Sequence, residues 1–221
     1  MKLMVAADFH GAISAIDKFN EKVADEKPDL IVICGDITNF GSYSLAEDLL
    51  SILSKSNIPI FFVPGNCDPP DLAKGVKIEK VVCLHGACKI LNDINFVGVG
   101  GSNPSPFLTP FEINEDDLLK ELERAYSAAD KAKKLVLISH APPLNTKLDI
   151  ARFGGHVGSV SIRHFIETKK PLLAISGHIH EANGVDILGS TTLVNPGPAA
   201  RGFYTTILLG EKINVKVNSL W

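Results

Sequence analysis

Five short apolar runs in this chain are each followed, directly or after one glycine, by a residue with a metal-binding or acid–base side chain. The runs are "KLMVAA", "LIVIC", "IFFVP", "LVLIS" and "LLAIS", and the residues that follow them are Asp8, Asp36, Asn66, His140 and His178. Runs that are continuously apolar, rather than alternating with polar residues, are typical of strands buried on both faces. We therefore predict five buried strands with polar side chains at their carboxyl ends.

Amphipathic segments separate these runs and predict helices. They span 12–26, 44–55, 114–129 and 159–169. In the second segment Ser44 and Glu47 have the spacing of a capping box, which predicts that Ser44 caps the helix. Alternation of strands with helices predicts an α/β domain with a largely parallel sheet.

Further strands are predicted in the second half of the chain. "CKILNDINFVGV" predicts a hairpin around Asn92 and Asp93, and "TTLVN", "GFYTTILL" and "KINVKV" predict a terminal β-meander. We expect residues 1–221 to form a single α/β domain in which two mixed sheets pack together with helices outside.

The residues after the strands form a candidate metal site, because ligands of open α/β sheets bind beyond the carboxyl ends of the strands. A single Asp at such a position is usually a turn or helix cap, but five polar strand ends in one chain favour a shared site. Carboxylate, amide and imidazole donors suit Mn, Fe, Zn or Ni. The seven donors exceed one tetrahedral zinc site and fit two ions that share a carboxylate: Asp8, His10, Asp36, Asn66, His140, His178 and His180.

Composition argues against several other classes of protein. The net charge is −3 with only four arginines, and aromatic residues make up 7%, so an extended nucleic-acid partner is not expected. The four cysteines form no C-x-x-C pair, which predicts reduced thiols and a cytoplasmic location. The first apolar run is too short for a signal-peptide core, and no run approaches the ~20 apolar residues of a membrane span. Formation of a homo-oligomer is left open.

The ordered blocks "DFH", "GDI", "GNCD", "SHAPP" and "GHIH" resemble the calcineurin-like metallophosphoesterase family. The blocks run from Asp8 to His180, most of the chain. The stretches "GHIHEANG" and "NPGPA" are also similar to the prokaryotic Icc-related phosphoesterase branch. The fold that this resemblance implies is a two-sheet β sandwich flanked by helices on both sides, in four αββα layers.

The resemblance also implies a dinuclear centre and a reaction. One ion would be held by Asp8, His10, Asp36 and His180, and Asp36 would bridge to a second ion held by Asn66, His140 and His178. The ions would be divalent, with Mn favoured and Fe, Zn or Ni as alternatives. The implied reaction is hydrolysis of a small or nucleotide-derived phosphodiester by a hydroxide that bridges the metals. Asn66 and His140 would also take part in catalysis, and the amide nitrogen of Asn66 could contact the phosphate.

Cys67 is the position at which the sequence departs from the family pattern. The family usually has a histidine here that helps to protonate the leaving group, oriented by the next acidic residue, which is Asp68 in this chain. A nucleophilic thiol is disfavoured, because the C-x5-R loop of cysteine phosphatases would need an arginine where Ala73 stands. Cys67 could also be a metal ligand or a small residue that shapes the pocket. We favour a weak replacement for the histidine, so that activity is best on diesters with acidic leaving groups.

Arg152 and His156 are candidate substrate-binding residues, although the glycine-rich loop "RFGGHVGS" that contains them could simply turn the chain. The proline-rich stretch 103–114 is long enough to cover the pocket.

The alternatives to a phosphodiesterase are a phosphomonoesterase or nuclease of the same fold, or a metal-binding scaffold with little catalysis.

Overall fold

The computed structural model describes residues 1–221 and contains two six-stranded sheets. The first sheet has the spatial order β12 (Ile213–Ser219), β11 (Phe203–Leu209), β1 (Lys2–Ala6), β2 (Leu30–Cys34), β3 (Ile60–Val63) and β4 (Val81–Cys83). The second has the order β5 (Ala87–Leu91), β6 (Ile94–Val99), β7 (Lys134–Ser139), β8 (Leu173–Ile175), β10 (Thr191–Asn195) and β9 (Gly184–Leu188). The α-helices are α1 (Ile13–Glu26), α2 (Tyr43–Leu53), α3 (Glu115–Ser127) and α4 (Val160–Lys169). None of them is both long enough and apolar enough to cross a membrane.

Both sheets are mixed, as predicted. Strands β1 to β4 run parallel, and β11 and β12 add to them in antiparallel register. In the second sheet β6, β7, β8 and β10 run parallel, and β5 and β9 form the antiparallel edges. Each sheet therefore contains four adjacent parallel strands that end in the same direction.

The residues of β2 show how the layers are built. Ile31 and Ile33 pack into the core beneath α1 and α2, whereas Leu30, Val32 and Cys34 pack between the two sheets. All five side chains are buried, because side chains alternate across a strand and both faces of this sheet are covered. A third core lies between the second sheet and α3 and α4. The four-layer αββα fold and the doubly buried strands are confirmed.

The predicted N-cap of α2 is wrong by two residues. Ser42, not Ser44, is the N-cap, and its hydroxyl accepts a hydrogen bond from the backbone N–H of Leu45 at 3.2 Å. Ser42 has an extended backbone, whereas Ser44 lies within the first helical turn, where its hydroxyl does not cap. The starts of α3 and α4 agree better with the sequence, because Asn114 and Ser159 are their N-caps.

The predicted hairpin is confirmed, but the predicted terminal meander is wrong in part. Asn92 and Asp93 have φ of 47° and 62° and join β5 to β6, as the left-handed conformation of tight hairpin turns requires. Strands β11 and β12 pair with each other, but β10 lies in the other sheet, between β8 and β9. The chain crosses between the sheets in the "NPGPA" segment, after which β11 pairs with β1.

Candidate metal centre

The carboxyl ends of five strands meet at one place, where the two sheets face each other. Asp8 follows β1, Asp36 follows β2, and Asn66 follows β3 in the first sheet. His140 follows β7 and His178 follows β8 in the second sheet. The sheets join directly here, because His140 Nε2 lies 2.8 Å from Asn66 Oδ1. The convergence predicted from the sequence is therefore present in the fold.

Unusual backbone conformations direct these side chains into the site. Asp8, His10, Asp36 and His178 all have positive φ, between 46° and 70°, which is costly for residues other than glycine. Backbone hydrogen bonds hold the first two turns together: Asp8 N–H donates to the carbonyl of residue 35 at 3.0 Å, and His10 N–H donates to Asp36 at 2.8 Å. Such strain clustered at one site is typical of functional positions.

Gly65 allows the loops after β2 and β3 to approach each other closely. A Cβ atom added at this position would lie 2.0 Å from Asp36 Oδ1 and 2.2 Å from Asp36 N, which no side chain could tolerate. The space permits Cys67 N–H to donate to Asp36 Oδ1 at 2.8 Å. The glycine of "GNCD" therefore fixes the orientation of the Asp36 carboxylate.

One group of donors consists of Asp8, His10 and His180, whose ligand atoms lie within 4.8 Å of one another. His10 Nε2 lies 3.2 Å from His180 Nε2, and His180 Nε2 lies 3.5 Å from Asp8 Oδ1. The backbone N–H of His178 donates to both carboxylate oxygens of Asp8, at 3.3 and 3.2 Å. Two imidazole nitrogens and a carboxylate oxygen at this spacing can bind one divalent ion.

A second group consists of Asp36, His140 and His178, with Asn66 beside them. The two groups are joined by Asp36, because its Oδ1 lies 3.5 Å from His140 Nε2 and its Oδ2 lies 3.7 Å from His10 Nε2. The carboxylate thus has one oxygen toward each group.

The contact between His140 and Asn66 fits a bound cation. His140 Nδ1 lies 2.8 Å from the carbonyl oxygen of Cys34 and donates to it, which directs Nε2 toward Asn66. Asn66 Nδ2 lies 3.1 Å from Thr109 Oγ1, which in turn lies 2.8 Å from Glu112 Oε1 and donates to it. The amide oxygen of Asn66 is thereby turned toward His140 Nε2. A metal ion at this place would have the Asn66 oxygen and the His140 nitrogen as ligands.

The electrostatics of the cluster favour the metal-binding form of His178, His10 and Asp8, whereas the hydrogen bond with Asp8 raises the pKa of His180. Burial lowers the pKa of His178 to about 4, so this imidazole is neutral at neutral pH. Burial likewise lowers the pKa of His10. Burial alone would raise the pKa of Asp8, but the hydrogen bond with His180 and the neighbouring imidazoles outweigh it, and the pKa lies below its ordinary value. Neutral imidazole and ionised carboxylate are the forms that bind metals.

Cys67 and Asp68 lie next to the donors but differ in their surroundings. The Cys67 sulfur is within 4.8 Å of donor atoms of His10 and Asp36, and burial with the Asp36 charge raises the pKa of the thiol. Asp68 is fully buried and accepts hydrogen bonds from Gly65 N, Ile37 N, Thr38 N and Thr38 Oγ1, at 2.7 to 3.1 Å. Burial and the Asp36 charge raise the pKa of Asp68 to about 6. Asp68 thus ties the "GDI" and "GNCD" loops together and makes no hydrogen bond with the Cys67 thiol.

The two candidate substrate-binding residues lie in different surroundings. A cleft of about 610 Å³ is lined by Arg152 together with Asn66, His178 and His180. His156 is not among the lining residues, and its Nδ1 instead pairs with the buried carboxylate of Asp149 at 2.7 Å. Arg152 therefore lies at the cleft, whereas the His156 ring is fixed within its own loop.

Several residues of the site give no signal in the sequence. Thr109 and Glu112 orient Asn66 from the proline-rich loop, and Glu181 accepts a hydrogen bond from Arg152 N–H. Phe107 and Phe153 also line the cleft. Only the length of the 103–114 loop, which is indeed next to the site, indicates that it would contribute.

Comparison with known proteins agrees with the site. The sequence signature of the calcineurin-like phosphoesterases matches residues 1–182. An uncharacterised protein of Methanocaldococcus jannaschii is 37% identical over 211 residues, which are 93% of this chain and 92% of that one. A probable cyclic nucleotide phosphodiesterase of Coxiella burnetii is 26% identical over 212 residues, 92% of this chain and 82% of that one.

The fold is also shared with a solved structure of a dimetal phosphatase from Danio rerio. That structure matches with a TM-score of 0.72 at 13% identity, over 100% of this chain and 96% of that one. At this identity the likeness concerns the fold, whereas the family signature covers the strands and donors from Asp8 to His180. The chain therefore belongs to the calcineurin-like phosphoesterase family, and it is a hydrolase of phosphoester bonds.

Proposed function

We propose that the protein is a phosphodiesterase with a dinuclear metal centre that acts on small or nucleotide-derived phosphodiesters. The observation that carries this proposal is the position of Asp36 between two groups of donors, 3.5 Å from His140 Nε2 and 3.7 Å from His10 Nε2. The first ion would be held by Asp8, His10, Asp36 and His180, and the second by Asp36, Asn66, His140 and His178. When bound, two divalent ions lower the pKa of water and offset the charge of the phosphate oxygens.

The residues of the chain fix the geometry that this chemistry needs. Cys67 N–H holds Asp36, and His178 N–H holds Asp8, so both carboxylates have their orientation before substrate arrives. Thr109 holds Asn66 with its oxygen toward the centre. The amide nitrogen of Asn66 is then directed to Thr109, so it reaches a phosphate only if that hydrogen bond is given up. Pre-positioned polar groups of this kind cost no reorganisation during the reaction.

The cleft favours a small substrate over extended nucleic acid. Its volume of about 610 Å³ is in the range of small-molecule sites. Arg152 is the cationic side chain that lines it, so it can contact a phosphate oxygen, and His156 at 41% side-chain exposure could join it only through a movement of its loop. The probable cyclic nucleotide phosphodiesterase among the relatives also supports a nucleotide-derived diester.

Cys67 has the position of the histidine that the family usually carries, close to His10 and Asp36. We propose that it replaces that histidine weakly, so that turnover depends on the acidity of the leaving group. Asp68 would act by holding the loop of Cys67 and Asn66 in place.

The metal and the reaction class can be tested together. We favour Mn, with Fe, Zn or Ni as alternatives, because carboxylate and imidazole donors accept all four. The metal-free protein would be reloaded with each ion and assayed on diesters, monoesters and cyclic nucleotides, with Asp36→Asn as control. We expect diester hydrolysis that Asp36→Asn reduces at least a hundred-fold, since the shared ligand is lost.

The same assay separates the alternatives. Faster hydrolysis of monoesters than of diesters would favour a phosphomonoesterase, and cleavage of long oligonucleotides in preference to short diesters would favour a nuclease. If no ion produces an activity that is lost in Asp36→Asn, the result would favour a metal-binding scaffold with little catalysis. A cytoplasmic location and the formation of a homo-oligomer remain predictions from the sequence.

A further inference from the structure

Two phenylalanines in the cleft are almost completely exposed to solvent. Phe107 is 81% exposed and Phe153 is 98% exposed. Single exposed apolar residues are common on proteins and need no explanation. These two differ, because they come from separate loops and line the same cleft as Asn66, His178 and His180.

The loop of Phe107 is fixed with respect to the metal centre. Glu112 Oε1 accepts hydrogen bonds from Ser105 Oγ at 2.6 Å, from Thr109 N at 3.0 Å and from Thr109 Oγ1 at 2.8 Å. The Thr109 hydroxyl also accepts a hydrogen bond from Asn66 Nδ2 at 3.1 Å. Phe107 lies between Ser105 and Thr109, so its position is tied to the candidate ligand Asn66.

The loop of Phe153 is fixed in a comparable way. Arg152 N–H donates to the carboxylate of Glu181, the residue after His180. Within the loop, Gly154 N–H donates to the carbonyl of Ala151 at 2.7 Å. The two loops are joined to each other, because Asn103 Nδ2 donates to the carbonyl of Val157 at 3.3 Å.

We propose that Phe107 and Phe153 form an aromatic subsite that stacks on a flat ring carried by the substrate, a nucleobase or an aryl group, while its phosphate faces the metal centre. This inference rests on the proposed function for the location of the phosphate. The cleft is lined both by polar donors of the candidate metal centre and by two exposed rings, and a phosphoester with an aromatic substituent matches both. Contact between the exposed rings and a base removes apolar surface from water and adds stacking interactions, and both favour binding.

Binding of two ligands with the same phosphate tests the subsite. Adenosine 5′-monophosphate and ribose 5-phosphate would be titrated into the manganese-loaded protein by calorimetry, so that their ratio of affinities reports the base alone. We expect Phe107→Ala and Phe153→Ala each to lower the affinity for the nucleotide about ten-fold, within the range for base–aromatic stacking, and to leave ribose 5-phosphate unchanged. Phe153→Trp should retain the preference.

Ile187→Ala serves as the matched control, because Ile187 is also exposed (70%) but lies on β9 and outside the cleft. Equal affinities of the wild-type protein for the two ligands, or variants that weaken both equally, would overturn the subsite. So would hexyl phosphate binding as tightly as phenyl phosphate, since the site would then be merely apolar.

Failure of the subsite and failure of the proposed function give different results. If the nucleotide preference is present and depends on both phenylalanines but no diester is hydrolysed, the subsite stands and the phosphodiesterase proposal fails. If bis(p-nitrophenyl) phosphate is hydrolysed but the alanine variants change neither its KM nor the ratio of affinities, only the subsite fails. Because both side chains are exposed, loss of fold is not expected, and circular dichroism would check it.

Discussion

Thr109 is the residue through which the protein sets the orientation of Asn66. Its hydroxyl donates to Glu112 and accepts from the Asn66 amide, which leaves the amide oxygen free for a metal ion. Thr109→Val keeps the shape but removes both hydrogen bonds. We expect the affinity for the ion that Asn66 would hold to fall about ten- to a hundred-fold, as for other residues that orient metal ligands. Competition with a chromophoric chelator measures it.

Thr109→Ser is the control for this prediction, because it retains the hydroxyl and should bind metal within about two-fold of the wild-type protein. A Thr109→Val protein that keeps its fold and wild-type metal affinity would show that Asn66 needs no such orientation.

Cys67 gives a prediction about the leaving group. Cys67→His introduces a general acid beside the phosphate, and such catalysis contributes about 10²–10⁴-fold where the leaving group is poor. The rate on a diester with an alkyl leaving group should therefore rise by about ten-fold or more relative to the rate on an aryl diester. Cys67→Ala controls for the loss of the thiol. An unchanged ratio of rates in Cys67→His would refute the proposed role.

At the scale of residues, the sequence predicted the donors better than their surroundings. Asp8, Asp36 and His140 follow apolar runs, so their position at strand ends can be inferred from the local sequence alone. The hydrogen-bond partner of Asn66 cannot be inferred in this way, because Thr109 is 43 residues away and a threonine in a loop carries no signal of its own. Contacts of this range depend on how the loops fold over the sheets.

The N-terminus of α2 provides a test at the scale of an element. Ser42 accepts a hydrogen bond from Leu45 N–H, so Ser42→Ala leaves that donor without its partner. We expect the free energy of unfolding to fall by about 1 kcal/mol, the usual cost of a lost N-cap. Urea denaturation followed by circular dichroism measures the change.

Ser44→Ala is the matched control two residues further on. Alanine has a higher helix propensity than serine, and Ser44 is within the helix, so stability should stay equal or rise by a few tenths of a kcal/mol. A larger loss for Ser44→Ala than for Ser42→Ala would mean that the helix begins where the capping-box pattern predicts.

The elements differ in how far local sequence determines them. Asn92 and Asp93 favour left-handed conformations, so the turn between β5 and β6 follows from two residues. The neighbours of β10 do not follow from its sequence, because "TTLVN" specifies a buried strand but not the sheet that it joins. Pairing with β8 and β9 depends on packing of the whole chain.

The whole molecule explains why one site needs both sheets. Strands β3 and β7 come into contact between the sheets, and the donors after them, Asn66 and His140, meet at 2.8 Å. The segment after the family match, 183–221, contributes β9 and β10 to one sheet and β11 and β12 to the other. We infer that residues 1–221 act as a single domain.

Stepwise addition of metal to the metal-free protein, with the rate of bis(p-nitrophenyl) phosphate hydrolysis measured at each step, tests the central claim most directly. If Asp36 joins two ions in one catalytic centre, the rate should rise until two equivalents per chain are bound and then stay constant, and Asp36→Asn should remain inactive throughout. A rate that is maximal at one equivalent, or an Asp36→Asn protein as active as the wild type, would contradict a dinuclear phosphodiesterase.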